Sequence, residues 1–498
     1  MSRRTAVALF FLACAFRYLT LSALENDHFV LLSRAQQLLA GDWPVRNFED
    51  PGQPLFYVVT AALASVFGHV LATNVILCIA LQALAASLTF LLARRASGND
   101  LVGIAAATIV IISSPRLYNT TKVIFPVVTL LLQWRYADRP TLRRLVGLAI
   151  WTAVASLLRL DYAVYIVVST TVLLLVLHGS DPREGVRRAM IYGVVTLACV
   201  APWLLYVQRY EGIGEYAGAA IRFVQSEGRR TAGERPRAFY AFILLPLLAL
   251  AVAFRKPRTL TPAHLASLAV LVLLINFVFL RDVLAARLPD VIAPSVVLVA
   301  ALMGQAFPPS GLRAGGMALI AAAVILGVVS LGIAGYRVPT PAAVMRQVAR
   351  VTDHLVHVGP EIQPSPRYPA LVSYLARCTA PSQRVFVEGF GPQVPFLAGR
   401  LFAGGLAAWE PGYYETPADV ARATRRLDRE DVSAAVLIEG SRPFELSWPA
   451  LATWFRAHGF EEHAVRGEDV MRVWLRDSTA SPVDQATGLP CPTSVTNH

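Results

Sequence analysis

The chain has 498 residues, 55% of them hydrophobic, and a formal net charge of +12. This hydrophobic fraction excludes an ordinary soluble globular protein, since several separated apolar runs approach or exceed the roughly 17–25 residues that cross a bilayer. The positive charge does not indicate nucleic-acid binding, because most arginines lie in short segments between apolar runs, where the positive-inside rule places them. We therefore predict a membrane protein that contacts the lipid bilayer and no nucleic acid.

The apolar runs predict a polytopic α-helical membrane protein with about 11 transmembrane helices. If these helices alternate from a cytoplasmic N-terminus, the arginine-rich junctions between them all fall on the cytoplasmic side. The first run has features of a cleaved signal peptide, but its length of about 20 residues favours a retained span. The runs lie near residues 5–24, 70–93, 101–114, 123–134, 145–158, 162–178, 189–207, 238–254, 262–280, 291–307 and 316–336.

One shorter run, LFYVVTAALASVF at residues 55–67, decides this topology. As a helix it covers only about 20 Å at ~1.5 Å per residue, which is short of the roughly 30 Å hydrocarbon core. Counting it as a span would also move every later arginine cluster to the outside. We therefore predict an interfacial helix here, within a first outer loop that comprises residues 25–69.

The C-terminal part of the chain changes character, because short strands there alternate with amphipathic helices. This alternation predicts a small extracytoplasmic α/β domain with a largely parallel sheet. The predicted helices are 368–378, 416–430 and 448–459, and the predicted strands are 384–389, 433–439 and 470–475. The predicted domains are a transmembrane catalytic domain at 1–337, a Pro-rich linker at 338–367, the α/β domain at 368–476 and a disordered tail at 477–498.

Five cysteines are present, and none has a CxxC or Cys/His metal-binding spacing. Cys378 and Cys491 both lie in the part predicted to be extracytoplasmic, where a disulfide would be stable. Because Cys491 falls in the predicted disordered tail, whether these two thiols pair is left open.

The first outer loop concentrates acidic residues between apolar segments, and carboxylates at a membrane surface usually mark chemistry or an ion path. Asp27 follows the first apolar run closely, and residues 28–40 have the apolar spacing of an amphipathic surface helix. The stretch FEDPGQP then brings Glu49 and Asp50 back near the next apolar segment. These three acids are candidates for catalysis or substrate binding, and the alternative is that they are solvated loop residues.

The order of residues in this loop resembles the first outer loop of the GT-C glycosyltransferases. The similarity is greatest to the protein O-mannosyltransferase and lipid A aminoarabinose transferase families, and it extends more loosely to about residue 180. It implies a GT-C-like membrane body followed by an extracytoplasmic α/β domain. The matching positions are Asp27, Gly41, Asp42, Trp43, Phe48, Glu49 and Pro54.

The resemblance implies a glycosyltransferase of the cytoplasmic membrane that uses a polyprenyl-phosphate-linked sugar donor. Its acceptor would be a glycan, lipid or protein on the outer face. A first-loop carboxylate acts as general base in such enzymes, and Asp27 is the matching residue. The acceptor oxygen would attack the anomeric carbon with inversion while polyprenyl phosphate leaves.

Two positions depart from the family pattern. These relatives often carry an acidic residue just before a Pro at the start of the fourth span, where this chain has Phe125. The aminoarabinose transferases have a Lys in their first-loop motif where this chain has Asp50. No cofactor is predicted, and Phe125 argues against a divalent metal shared between two outer loops.

Other cations must then bind the donor phosphate. Arg159, Arg281 and Arg287 lie at outer ends of apolar runs and are the candidates. The alternatives are an ion pair between Arg159 and Asp161, and anchoring of the other two arginines in lipid headgroups.

Two other functional classes remain open. A transporter or flippase for a lipid-linked glycan would place charges near the membrane midplane and show internal repeats, neither of which is evident in the sequence. A non-catalytic accessory protein would use the α/β domain to bind a glycan or a partner, and the absent second acid keeps this alternative open.

Overall fold

The fold is seen in a computed structural model, which describes residues 2–21, 24, 26–230, 238–255, 257, 259–277, 287–333, 340–357, 368–438, 442–476 and 482–491. The chain divides into two compact units. We call them the helical unit, residues 1–21, 75–209 and 227–349, and the mixed unit, residues 22–74, 210–226 and 350–498. Each unit is therefore assembled from segments that are distant in the sequence.

Helices dominate the described residues. They are α1 Ser2–Leu19, α2 Asn26–Leu39, α3 Pro54–Phe67, α4 Val70–Ser97, α5 Asp100–Ser113, α6 Thr120–Asp138, α7 Leu142–Leu158, α8 Leu160–Leu177, α9 Pro182–Tyr210, α10 Ile213–Arg230, α11 Ala238–Ala253, α12 Pro262–Asn276, α13 Leu288–Ala306, α14 Pro309–Ile333, α15 Pro341–Val356, α16 Pro369–Cys378, α17 Gln393–Leu397, α18 Pro417–Leu427, α19 Phe444–Ser447 and α20 Pro449–Ala457.

Among the residues that the structure describes, each predicted apolar run falls largely on one helix, so the helical character of these runs is confirmed. Within the described residues, five helical segments are long and apolar enough to cross a membrane, namely α4, α8, α9, α13 and Pro309–Gly327 of α14. Helices α3, α5, α11 and α12 are apolar but shorter. The number of spans and their direction through the membrane stay predictions.

Close packing in the helical unit depends on glycines. Gly304 of α13 lies so near α4 that a Cβ atom on it would approach the carbonyl oxygen of Ala96 to 2.8 Å. Gly316 of α14 is equally close to α5, where a Cβ would lie 2.8 Å from the Cβ of Leu101. Lipid tails are as apolar as leucine side chains, so helices in membranes associate largely through such close backbone approach.

Capping residues set the starts of two helices in this unit. The side chain of Asn99 accepts hydrogen bonds from the backbone N–H groups of Leu101 and Val102 at the start of α5. Thr261 caps α12, and Pro262 occupies its first turn. Such caps satisfy the backbone donors that the first turn of a helix leaves unpaired, and an early Pro removes one of them.

The mixed unit contains a five-stranded sheet with strand order β2-β1-β3-β5-β4. Strands β1 and β3 pair in parallel, as do β1 and β2, whereas β5 pairs antiparallel with both β3 and β4. The largely parallel sheet expected from the sequence is therefore mixed. The strands are β1 Arg384–Glu388, β2 Leu401–Phe402, β3 Val432–Ile438, β4 Phe460–Val465 and β5 Glu468–Arg476.

The missed strands explain this difference. Strand β4, with sequence FEEHAV, has three consecutive polar residues, so it lacks the alternation that predicts a strand. It turns into β5 through Arg466 and Gly467, and Gly467 has a φ of 79°, which suits a tight hairpin. Strand β4 runs in the same direction as β3, and the hairpin then reverses the chain. Strand β5 therefore lies antiparallel to both.

Aromatic side chains form the core of this α/β region. Phe386 on β1 packs against Trp409, with ring centroids 5.4 Å apart, and against Phe455 of α20 at 5.0 Å. Trp448 and Trp474 complete the cluster, and all five side chains are buried. Each such ring removes a large apolar area from water, so these positions fix how the helices pack on the sheet.

The first outer loop belongs to the mixed unit. Phe29 of α2 contacts Phe396 of α17, while the side chains of Ser33 and Gln37 donate to the carbonyl oxygens of Pro392 and Phe402. The sequence analysis groups residues 25–69 with the 1–337 domain, but their contacts join them to the C-terminal sheet. The reason is that the buried face of α2 contacts α17 and β2.

The pairing of Cys378 and Cys491, left open from the sequence, is resolved by the structure. Cys378 and Cys491 form a disulfide with a Cα–Cα distance of 5.1 Å. Within the segment predicted as a disordered tail, residues 482–491 pack on the domain, where Leu489 is fully buried and Asp484 pairs with Arg377 at 2.8 Å. The small apolar content of this segment predicts disorder, but the disulfide holds the segment against the domain.

Two further segments differ from the sequence analysis. Helix α15 lies within residues 338–367, which the sequence analysis assigns to a linker. Helix α10 lies in the polar stretch 209–237, where the sequence analysis predicts no helix. Both segments are strongly amphipathic, so their apolar residues follow a helical period without forming a continuous apolar run.

Candidate active site

The first outer loop is held in a strained conformation after α2. Val45 has a φ of 67°, which is a genuine outlier for a β-branched residue and costs about 1–3 kcal/mol. Its N–H donates to the carbonyl oxygen of Phe48 at 2.7 Å, and its own carbonyl accepts from Nη2 of Arg426 at 3.2 Å. Contacts with the C-terminal domain therefore hold this part of the loop in place.

Glu49 lies at the centre of these contacts. Its Oε1 lies 2.7 Å from Nη1 of Arg426 and 3.3 Å from Nε of Arg422, both on α18. Its backbone N–H donates to the carbonyl oxygen of Gly405 at 2.9 Å. A Cβ on Gly405 would lie 2.3 Å from Nη1 of Arg426, so only glycine fits beside this guanidinium.

Arg422 joins three separate chain segments. Besides Glu49 of the first loop, its guanidinium pairs with Glu211, which follows α9, and with Asp419 of its own helix at 3.2 Å. It also lies 3.5 Å from Glu215 of α10. Burial, with the nearby Glu49 carboxylate, raises the pKa of Glu211. A cation is therefore needed here to keep several crowded carboxylates ionised.

Asp50 is buried and fully engaged. Its carboxylate accepts from the hydroxyls of Tyr57 at 2.6 Å and Tyr216 at 2.7 Å, and from the backbone N–H of Gln53 at 2.9 Å. Burial raises the pKa of Asp50, although these hydrogen bonds oppose the change. Asp50 thereby connects the first loop to α3 and α10.

Asp27 differs from the other acids of the loop. It lies in the first turn of α2 and is half-buried, and among the described residues its carboxylate has no ion-pair or hydrogen-bond partner. Asp42, by contrast, pairs with Arg384 at 2.7 Å, and Glu49 and Asp50 are engaged as described. Asp27 is thus the one described acid of this loop whose oxygens are available to take a proton.

A second polar cluster lies in the helical unit. Nζ of Lys122, in the first turn of α6, lies 3.1 Å from Oδ2 of Asp290 on α13, and Nδ2 of Asn119 donates to the same oxygen at 2.9 Å. Both charged side chains are buried. The other oxygen of Asp290 has no hydrogen-bond partner in the described part of the chain.

Two predicted phosphate-binding arginines lie near this pair. Arg159 and Arg287 are close enough to Lys122 for their charges to act on its ammonium group. Arg159 also pairs with Asp161 at 2.9 Å and lies over the ring of Tyr162 at 5.7 Å. Three cations therefore converge at these helix ends, which is the arrangement that an anion would stabilise. Arg281, the third predicted arginine, lies outside the described residues.

Phe125 is buried on α6, against Trp151 with ring centroids 5.4 Å apart. In the part of the chain that the structure describes, no group of three or more His, Cys, Asp or Glu side chains is arranged to hold a metal ion.

The sequence analysis missed four residues of these clusters, namely Lys122, Asp290, Arg422 and Arg426. Lys122 carries a usable signal, because it is one of two lysines in the chain and lies at the start of an apolar run. Arg422 and Arg426 have i, i+4 spacing on an amphipathic helix, but nothing in the sequence indicates that they contact Glu49.

No protein-family model matches the chain, and no curated protein sequence matches it significantly. Solved structures do match. ArnT from Cupriavidus metallidurans bound to undecaprenyl phosphate aligns with a TM-score of 0.54 and 17% identity, covering 97% of this chain and 98% of that chain. The apo form of the same protein gives the same TM-score and identity, with 95% and 98% covered.

The Archaeoglobus fulgidus oligosaccharyltransferase, in complex with Zn and sulfate, aligns with a TM-score of 0.45 and 11% identity over 92% of this chain and 72% of that chain. That similarity is too low to carry an argument. ArnT is a GT-C lipid A aminoarabinose transferase, so the alignment over nearly the whole of both chains confirms the GT-C-like fold expected from the first-loop residues.

The Arg422 network predicts a strong effect on stability. Arg422→Ala leaves Glu49, Glu211 and Asp419 without their shared cation, and breaking a buried ion pair in this way typically costs about 3–5 kcal/mol. We expect a clearly lower apparent Tm for the full-length protein in detergent, measured by intrinsic fluorescence.

Arg425→Ala is the matched control, because Arg425 lies on the same helix and is exposed. This change should stay within about 0.5 kcal/mol of the parent protein. Equal Tm values for the two variants would show that the network does not hold the mixed unit together.

Proposed function

We propose that this chain, which has the fold of GT-C membrane glycosyltransferases, transfers a sugar from a polyprenyl-phosphate-linked donor to a glycan, lipid or protein acceptor. The observation that carries the proposal is the alignment of nearly the whole chain with ArnT bound to undecaprenyl phosphate. The first-loop acids and the cation cluster support it, since sugar transfer from such a donor needs a base and a group that neutralises the leaving phosphate.

In the proposed reaction Asp27 acts as general base. Its carboxylate takes the proton of the acceptor hydroxyl while the acceptor oxygen attacks the anomeric carbon of the donor sugar. The bond between that carbon and the phosphate oxygen breaks, polyprenyl phosphate departs with the bonding electrons, and the configuration inverts. The lack of a partner for Asp27 among the described residues supports this role, because a paired carboxylate is a weaker base.

The leaving phosphate is neutralised by Lys122, Arg159 and Arg287, with Arg281 as a further candidate. The convergence of charge at Lys122 supports this assignment. Lys122 is paired with Asp290 and Arg159 with Asp161, so three cations against two carboxylates leave a net positive charge for a bound phosphate. The proposal needs no metal, because fixed cations supply the charge stabilisation that a divalent ion would give. Glu49 and Asp50, predicted from the sequence to bind substrate, act instead by holding the first loop.

We place the mixed unit on the outer face of the cytoplasmic membrane. The support is the disulfide between Cys378 and Cys491, since disulfides persist in oxidising compartments and are rare in the cytosol. The N-terminus would then be cytoplasmic, in agreement with the arginine distribution between the apolar runs.

The base assignment is tested with Asp27→Asn. Removing a positioned general base should lower kcat about 10²–10⁴-fold, and donor affinity should change little because the amide has the same shape. The assay is transfer from a polyprenyl-phosphate-linked sugar, found by screening membrane extracts, with donor binding measured separately.

Asp353→Asn is the matched control, because it removes an exposed carboxylate from α15. Unchanged transfer by Asp27→Asn would exclude Asp27 as the base. If the parent protein transfers no sugar from any lipid-linked donor, the accessory-protein alternative is favoured.

The phosphate assignment is tested with Arg287→Gln. Losing one charge-assisted hydrogen bond of about 1.5–3 kcal/mol should weaken the binding of undecaprenyl phosphate roughly 10–100-fold. Binding is measured with radiolabelled lipid in detergent. The control is Arg313→Gln, which removes an exposed arginine of the same helical unit. Equal losses in both variants would point to general attraction between lipid and protein.

The location of the mixed unit is tested by labelling with a membrane-impermeant maleimide. In a background where Cys14, Cys78 and Cys199 are replaced by Ser, the parent disulfide should leave no thiol to label. Adding Cys378→Ser frees Cys491, which should then be labelled in intact cells. Labelling only after permeabilisation would place this unit in the cytoplasm.

A further inference from the structure

The mixed unit contains a cavity that the proposed chemistry does not use. It encloses about 240 Å³ between α10 and the loop that precedes α18. Its walls combine aromatic and acidic side chains. The lining residues include Ala219, Arg222, Phe223, Tyr414, Glu415 and Asp419. At ~30 Å³ for each water molecule, the cavity has room for about eight waters, which is comparable with the space that one pyranose ring occupies.

The aromatic wall suits a sugar face. Phe223 is half-buried on α10, and its ring lies 5.4 Å from that of Tyr413. Tyr414 has a φ of 52°, an uncommon conformation for a residue other than glycine. A flat apolar ring beside polar groups is suited to bind a ligand that has one apolar face and hydroxyls at its edge.

The described charges of the cavity disfavour an anionic ligand. Among the described residues that line it, Arg222 is the one cation, and this guanidinium already lies 2.8 Å from Glu215 and 3.8 Å from Asp419. Glu415 and Asp419 add two carboxylates to the walls. Carboxylates accept hydrogen bonds from hydroxyls and repel phosphate, so a neutral polyol fits these walls better than a lipid phosphate.

The cavity is also close to the first outer loop. A smaller cavity shares Ala219, Phe223 and Tyr414 with it and is lined on its other side by Glu49 and Asp50. The side chain of Phe223 therefore borders both the larger cavity and the space lined by Glu49 and Asp50 of the first outer loop.

We infer that this cavity binds a neutral sugar unit of the acceptor, which makes the acceptor of the proposed transferase a glycan. The assignment of this sugar to the acceptor rests on the proposed function, whereas the sugar site itself is inferred from the cavity alone. Phe223 stacks on the sugar ring, Glu415 and Asp419 accept from its hydroxyls, and the enzyme selects acceptors through this site.

The first test measures sugar binding without any transfer. Full-length protein in detergent is titrated with methyl glycosides of glucose, galactose, mannose and arabinose, and binding is followed by saturation-transfer difference NMR. At least one glycoside should bind, whereas glucose 6-phosphate should not. Phe223→Ala should weaken the binding about tenfold, which corresponds to about 1.4 kcal/mol of lost stacking and burial.

Two further variants provide a control and an independent way to block the cavity. Ile221→Ala is the control, because Ile221 is on the same helix and 58% exposed, and it should bind the sugar as the parent does. Ala219→Trp fills the cavity and should abolish binding even if Phe223→Ala fails to fold. Sugar binding that survives both Phe223→Ala and Ala219→Trp would overturn the inference.

The second test uses transfer kinetics. Phe223→Ala should raise KM for the acceptor and leave kcat and the donor KM unchanged. A raised donor KM would overturn the acceptor assignment. Binding of the glycosides with no transfer from any donor would leave the sugar site intact but overturn its role as an acceptor site. Transfer with no glycoside binding would overturn the sugar site and leave the proposed function standing.

Discussion

The ion pairs between Glu49 and two arginines of α18 are the constraint on which the mixed unit depends. They join a segment near the start of the chain to a helix near its end, and Arg422 extends the same network to Glu211 and Glu215. A buried charge without a partner costs several kcal/mol, so these segments can bury their carboxylates only when all of them are assembled. The unit is therefore cooperative because its charges must be neutralised together.

The need to neutralise buried carboxylates also distinguishes the paired acids of the first loop from the unpaired one. Asp42, Glu49 and Asp50 have partners that fix the backbone, including the unusual conformation at Val45. Asp27, without a partner among the described residues, lies on a helix that the other contacts hold in place. The proposed base is thus an unengaged carboxylate on a firmly held helix, which is what a pre-organised site would require. In the helical unit, the buried ion pair with Asp290 likewise holds the ammonium group of Lys122 in one position.

The sequence was sufficient to predict features that depend on local pattern. The apolar runs predicted helices, the alternation around residues 384–389 and 433–439 predicted β1 and β3, and the first-loop residues indicated the GT-C-like fold. Features that depend on contacts between distant residues were not predicted. The disulfide of Cys378 and the pairing of Glu49 with Arg426 each join positions more than 100 residues apart, and neither position carries a local signal of its partner. Strand β4 was missed because its three consecutive polar residues interrupt the alternation that predicts a strand.

The separation of Glu49 from Arg426, 377 residues along the chain, has a consequence for biogenesis. A ribosome adds roughly 5–20 residues per second, so the loop carboxylates wait on the order of tens of seconds for the arginines that neutralise them. During that interval the contact with Arg426 that holds the strained conformation at Val45 is absent. The first outer loop thus acquires its ordered conformation only after α18 has been synthesised and the α/β region has folded, and a nascent chain that stalls before residue 417 carries an unassembled loop.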